Sequence, residues 1–268
     1  IEDADALMGR PMGIPKTGVF GLYDLIGIDL MADVVRSLGS ILPSDDAFHA
    51  VGKENSAITL MIKNGFTGNK GNGGFYKTGP DGLLRTLQLV GHTRDSLPPY
   101  SVAKQELPEL AVRAATASAQ QKEPLVQILE GNTHHAKFCR RVLGRFLSYA
   151  ASLIPTVTES PQDIDDAMKL GFNWQRGPFE LMDAIGHRKM AELLEEAGLK
   201  VPDILQLEQP FYQVDGSALT VRHADTKYKP FSLPAGVIRF QMKRRTMTPI
   251  LENEAASPFV LNGFAEGV

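Results

Sequence analysis

A chain of 268 residues, 43% hydrophobic and 22% charged, has enough apolar material for packed cores and room for two ordinary domains. A net charge of -3 gives nucleic acid or an anionic membrane no electrostatic hold on it. The single cysteine, Cys139, rules out an internal disulfide and fits a reducing, cytoplasmic setting, while the most apolar run, Phe146 to Ile154, carries Ser148 and Ser152 and stops at Pro155, far short of a membrane span.

In chain order, Ile1 to Gly9 reads as a short acidic helix and Gly9 to Gly18 as a loop held by Pro11 and Pro15. Two helical patterns follow, Val19 to Ile26 and Asp29 to Leu38, closed by Gly27 and Gly39. Pro43-Ser44-Asp45-Asp46 reads as a helix start, and Ser56 to Lys63 shows helical spacing of Ile58, Met61 and Ile62. Gly65 to Gly82 is the most glycine-rich stretch. A phosphate loop needs Gly-Lys-Ser/Thr opening a helix, yet Lys70 precedes a glycine and no strand pattern leads in, so the stretch is predicted to be a turn rich in positive φ. Leu83 to Val90 then reads as a strand after the turn Gly79 to Gly82.

Beyond a helical linker from Val102 to Glu130, Asn132 to Leu153 is the longest amphipathic pattern, with Phe138, Val142, Leu143, Phe146, Ala150 and Leu153 facing inward. Ser160 and Pro161 open a helix that Gly171 is expected to end, and Gly177-Pro178 restarts the chain with Phe179, Met182 and Ile185 on a core face. Asp183 lies among them and needs a partner if buried; a backbone N–H of the neighbouring loop is the predicted one. In the tail, Val237 to Met247 reads as helix, Asn253 to Ser257 as linker and Phe259 to Val268 as the first strand of a further domain.

The organising feature is a repeat. Thr17 to Gly27 (TGVFGLYDLIG) matches Arg176 to Gly186 (RGPFELMDAIG) in register at Gly18/Gly177, Phe20/Phe179, Leu22/Leu181, Asp24/Asp183, Ile26/Ile185 and Gly27/Gly186. An acidic segment precedes each copy, and Phe75-Tyr76 and Phe211-Tyr212 each lead into a hairpin with Asp81-Gly82 and Asp215-Gly216. The predicted division is 1–101 as a first module, 102–130 as helical linker, 131–233 as a second module and 234–268 as a tail.

A search for chemistry along the chain finds little. His134 and His135 with Cys139 lack a second ligand pair at metal spacing, and Arg140 and Arg141 beside Cys139 suit a solvated helix face as well as an activated thiol. Asp163, Asp165 and Asp166 are accounted for by the dipole of the helix they open, and Lys243-Arg244-Arg245 by ordinary surface charge. From residue patterns alone, the chain is two mostly helical modules without an active site.

The stretch DIDDAMKLGFNWQRGPFELMDAIG, Asp163 to Gly186, resembles the C-terminal domain of 3-hydroxyacyl-CoA dehydrogenases, and so do Gly9 to Asp29 and GNKGNGGFYK, Gly68 to Lys77. The resemblance implies a mainly α fold: two tandem copies of a helical domain like the C-terminal domain of 6-phosphogluconate dehydrogenase, the first lacking its first helix. The copies would pack as a pseudo-twofold pair, each followed by a small β-ribbon. It further implies an oxidoreductase of fatty acid β-oxidation in a bifunctional polypeptide, with an upstream domain that binds NAD and a crotonase-like enoyl-CoA hydratase domain towards which the tail leads. No catalytic, cofactor-binding or metal-binding residue of this chain follows from it, because neither a His-Phe-Phe-x-Pro segment nor G-x-G-x-x-G is present and the family's active-site Asn would fall before Ile1. The loop Pro11, Met12, Gly13, Ile14 and Pro15 is the one piece the resemblance places near the acyl-CoA thioester; its kinked, apolar character suits a wall against an acyl chain and equally a plain turn. Phe172 to Arg176, the second copy's counterpart, has lost the pattern and is expected to be structural. Other readings are a non-catalytic helical interaction module and a relative acting on another hydroxy acid.

Overall fold

The computed structural model describes residues 1–89, 96–120, 123–215 and 218–233, with the backbone alone for 259–261 and 264–266. Its first part runs α1 (Glu2–Leu7), a 3-10 turn (Arg10–Met12), α2 (Phe20–Ile26), α3 (Ile28–Ile41), a second 3-10 turn (Ala47–Ala50) and α4 (Ser56–Lys63). An antiparallel sheet of β1 (Tyr76–Thr78), β2 (Leu84–Leu87) and β3 (Tyr100–Val102) follows, in that order. Two helices, α5 (Glu109–Ala119) and α6 (Pro124–Leu129), then lead to α7 (His134–Ser152), α8 (Pro161–Phe172), α9 (Pro178–Ile185) and α10 (His187–Glu196). A second antiparallel sheet comprises β4 (Tyr212–Asp215), β5 (Ala218–Arg222) and β6 (Tyr228–Pro230). The architecture is mainly helical with small sheets, as the sequence predicts.

Local chemistry sets the helix ends. Asn55 accepts the N–H of Ala57 at 2.9 Å to start α4, and Thr133 accepts that of Ala136 at 3.1 Å to start α7. At α9, Pro178 takes the first position, where a missing N–H costs nothing, and Glu180 reaches back to accept the N–H of Gly177 at 2.8 Å. Gly27 and Gly186, at φ 114° and 90°, let the next helix begin at once after α2 and α9.

Several expectations need correction. Pro43 to Asp46 does not open an α-helix: Asp46 caps the N–H of Phe48 at 2.7 Å and only the short 3-10 turn forms. Helix α8 runs past Gly171 and ends where Asn173 turns left-handed at φ 55°, a conformation asparagine tolerates, and Ser160 makes no side-chain cap. Each ribbon is a three-stranded sheet rather than a hairpin. Phe259 to Val268 is not one strand: β7 (Phe259–Leu261) and β8 (Phe264–Glu266) pair antiparallel. The predicted helix Val237 to Met247, the linker Asn253 to Ser257 and the basic run Lys243 to Arg245 lie outside the described residues.

Two buried clusters hold the described fold. The larger brings Leu7, Met12 and Ile14 of the first part together with Leu110, Leu125 and Ile128 of α5 and α6, and with Leu143, Phe179, Leu181 and Leu194 beyond them. Each such side chain contributes about 1.5–3 kcal/mol by leaving water. The smaller cluster gathers Ile28, Met61, Phe75 and Leu87.

Candidate functional site

The loop after α1 is built from three backbone bonds, Met12 N–H to Gly9 at 2.9 Å, Gly13 N–H to Arg10 at 3.0 Å and Ile14 N–H to Gly9 at 3.2 Å. Gly13 adopts φ 72°, which favours glycine. Its carbonyl accepts the N–H of Gln175 at 2.8 Å. Met12, Gly13 and Ile14 are buried, Pro11 and Pro15 half-buried. Next to this contact Arg176 holds Glu123 through both guanidinium nitrogens at 2.8 and 3.0 Å, and the carboxyl of Glu123, which also caps Leu125 N–H, is held below its ordinary value although burial alone would raise it. Phe172 to Arg176 is thus a support for the Pro11 to Pro15 loop.

The geometry that repeats within the chain lies in two carboxylate devices of the same design. Asp165 on α8 accepts the N–H groups of Phe179 and Glu180 at 2.8 and 3.1 Å, so it caps α9 from a neighbouring helix. Asp183, at the far end of α9, accepts those of Phe211 and Tyr212 at 2.8 and 2.9 Å, the backbone partner predicted for it. The Tyr212 hydroxyl returns to Asp165 at 2.7 Å and closes a ring of chain segments. Asp5 on α1 likewise accepts from Val19, Phe20 and Gly21 at 2.7, 2.8 and 3.0 Å. Asp24 accepts from Phe75 and Tyr76 at 2.8 and 2.7 Å, and the Tyr76 hydroxyl returns to Asp5 at 2.9 Å.

Asp165 corrects the dipole reading of the acidic cluster: its carboxylate is fully buried, so it is a cap and a strut, not a surface charge. Burial pushes it up to about 7 against the pull of its donors, and the Tyr212 phenol is raised by burial and by that carboxylate. The repeat carries the signal that finds it, since Asp5 and Asp165 stand at the same place once the second copy's loop is taken one residue shorter. The glycines have related causes. A Cβ on Gly177 would fall on Asp165, and one on Gly74 on Asp24.

The glycine-rich stretch proves to be a turn, with positive φ at Gly65, Gly68, Gly73 and Gly82, and Gly68 paired with Gly73. It wraps the Asp24 carboxylate, so a phosphate entering it would meet an anion, and the residues here do not fit a dinucleotide. His134 is exposed at the start of α7, His135 faces Asp3 at 3.5 Å, and Cys139 is buried with its thiol pushed up to about 12 by burial. No group of three metal-ligating residues occurs among the described residues, and no helix among them is long and apolar enough to cross a membrane.

Sequence reasoning missed a polar pair in the second sheet region. His187 places Nε2 2.8 Å from Asp183 Oδ1 and Nδ1 3.0 Å from the Leu207 carbonyl, beside a cleft of about 480 Å³ that also meets Arg188, Lys189 and Glu208. With an acceptor at each nitrogen the ring has none left for a ligand, so the pair is structural. Across Phe211, Arg222 is fully buried with its guanidinium 4.7 Å from the ring, one bond to Ile204 at 3.1 Å, and Nε and Nη1 unpartnered among the described residues.

The chain is similar to known proteins. The family model of the 3-hydroxyacyl-CoA dehydrogenase C-terminal domain matches residues 1–78 and 138–230. A Rickettsia prowazekii (strain Madrid E) protein named as a fatty acid oxidation complex trifunctional enzyme is 34% identical over 178 residues, 66% of this chain and 23% of that protein. A Bacillus subtilis (strain 168) protein named as a 3-hydroxyacyl-CoA dehydrogenase is 25% identical over 264 residues, 96% of this chain and 32% of that one. The crystal structure of 3-hydroxybutyryl-CoA dehydrogenase from Escherichia coli K12 substr. MG1655 covers 76% of this chain, which covers 57% of it, at 18% identity and a TM-score of 0.38. The chain therefore spans less than a third of the length of each of these two curated relatives, and with most of its residues matched by the family model it belongs to the 3-hydroxyacyl-CoA dehydrogenase C-terminal domain family.

Proposed function

We propose that this chain is the substrate-side helical portion of an NAD-dependent 3-hydroxyacyl-CoA dehydrogenase of fatty acid β-oxidation, which oxidises 3-hydroxyacyl-CoA to 3-ketoacyl-CoA. The family match over both copies of the carboxylate device carries this reading. The acyl-CoA would lie between this chain and an NAD-binding domain upstream, in a cytoplasmic polypeptide that also holds a crotonase-like enoyl-CoA hydratase domain. In this reading the Pro11 to Pro15 loop faces the acyl thioester: Pro11 and Pro15 offer the half-buried outer edge, while Met12, Gly13 and Ile14 anchor it in the core. NAD is assigned to the upstream domain in this reading, and the glycine-rich turn, which encloses the Asp24 carboxylate, offers its phosphates no cradle.

The two matched segments form a pseudo-twofold pair of domain copies, and the shared cluster that joins Leu7 and Met12 to Leu143 and Phe179 supports it. The chain then need not dimerise, and an obligate dimer in analytical ultracentrifugation at low concentration would count against that pairing. For the activity, the purified 268-residue chain is expected neither to bind NAD tightly nor to oxidise 3-hydroxybutyryl-CoA, whereas the complete gene product does both. Turnover by the chain alone would refute the placing of the chemistry elsewhere.

A further inference from the structure

The Pro11 to Pro15 loop lies between two holders. One is Gln175 of the second copy, whose N–H donates to the Gly13 carbonyl at 2.8 Å; the other is α6, which packs on the Arg10–Met12 turn and shares a buried cluster with Met12 through Leu125 and Ile128. The fit on the first holder is close, since a Cβ on Gly13 would stand 3.6 Å from Gln175 Cβ and 3.8 Å from Arg176 Nε. Arg176 then ties the two holders together. It donates to both carboxylate oxygens of Glu123 at 2.8 and 3.0 Å, and Glu123 in turn accepts the Leu125 N–H at 3.1 Å and so opens α6. The carboxylate devices do not require this pair. Thr17, the counterpart of Arg176 in the repeat, is uncharged, and Glu123 lies on the linker, outside both copies of the repeat. A two-pronged guanidinium–carboxylate contact, half-buried on both sides, fixes orientation as well as distance, so it sets the angle between α6 and the Gln175 segment and with it the stance of the loop.

We propose that Arg176 and Glu123 are positioning residues for acyl-CoA binding: the pair holds the outer edge of the loop, Pro11 and Pro15, where it walls the acyl thioester, and neither side chain touches the reacting atoms. The inference rests on the reading above that this loop faces the thioester. Its signature is one-sided. A displaced wall loosens the hold on the substrate in the ground state and the transition state alike, so KM for the acyl-CoA rises while kcat stays. The KM for NAD, which that reading assigns to the upstream domain, is unmoved.

Steady-state kinetics of the complete gene product with 3-hydroxybutyryl-CoA test this. Arg176→Leu is expected to raise the KM for the acyl-CoA about tenfold and to keep kcat within about twofold. Glu123→Gln, whose amide oxygen still caps Leu125, should give the same rise without loosening the start of α6. Because the two groups act through one contact, the double variant should be no worse than either single one. The proposal is overturned if KM is unmoved in both single variants, if kcat falls along with the rise in KM, or if the two effects multiply in the double variant. An unsubstituted gene product that does not oxidise 3-hydroxybutyryl-CoA at all would overturn the functional reading itself and the proposal with it, whereas an active one with unmoved KM values in the variants would overturn the positioning role alone.

Discussion

The two carboxylate devices share their backbone bonds, save that of Val19 to Asp5, whose counterpart Pro178 has no N–H to give, and differ in what surrounds them. Around Asp24 the first copy packs Ile28 and Leu87 against Phe75, an all-apolar arrangement. Around Asp183 the second copy puts His187 and Arg222 in those places, on either side of Phe211. The equivalence is fixed by backbone: Ile28 and His187 each begin the helix after the glycine, and Leu87 and Arg222 donate to Phe75 and Phe211 at 2.9 and 2.8 Å. The same scaffold therefore tolerates an oily or a polar filling, and the lesson is that the aspartates specify the geometry while the residues beside the aromatic ring are free to vary.

The largest expected effect comes from breaking the device itself. Asp183→Ala strands two backbone donors and the His187 ring and should cost about 3–5 kcal/mol in urea unfolding, while Asp24→Ala, which strands two donors only, should cost about 1 kcal/mol less. Equal costs would mean that His187 adds nothing to the second copy. Next is a pH effect. Asp165 ordinarily titrates near 3.8 and is raised to about 7 in the folded chain. The folded state then holds its proton more tightly than the unfolded one, so the stability this gives is present below about pH 4 and lost as pH rises through about 7. The unfolding free energy read from urea denaturation should fall across that window by an amount on the order of a few kcal/mol, and Asp165→Asn should flatten the slope. Smaller again is Arg222→Leu, which gives the second copy the filling of the first; with two guanidinium nitrogens unpartnered and burial drawing its pKa down, removing the charge should stabilise by about 1–3 kcal/mol. A loss of stability would show that the arginine, not the ring it covers, holds β5 in place. The smallest contrast is between glycines: Gly171→Ala on α8 meets open space and should gain about 0.5–1 kcal/mol, in contrast to Gly177, which Asp165 crowds.

Much of this was legible in the chain itself. The duplicated Gly-x-Phe-x-Leu-x-Asp spacing exposed the paired helices and the need of Asp183 for a backbone partner, because a buried acid among apolar residues has few other solutions. The ribbons announced themselves through Phe-Tyr and Asp-Gly. Other features were hidden for physical reasons. Asp165 taken alone reads as one more acid near a helix start; its contact with Phe179 of α9 makes it a strut, and only its equivalence to Asp5 hints at that. Arg222 sits in an alternating strand where a long cation normally reaches water, and nothing local shows that the strand's far face is closed. The Pro11 to Pro15 loop reads as a kink, while its contact with Gln175 depends on long-range assembly.

The ring closed by the Tyr212 hydroxyl on Asp165 has a consequence for how this region opens. Helix α8, the start of α9, the end of α9 and strand β4 are linked in a circuit, so fraying at any one point removes the acceptor of the next. Native-state amide exchange should find Phe179, Glu180, Phe211 and Tyr212 released together, as one cooperative unit with a common opening free energy, rather than as a strand that peels away from an intact helix.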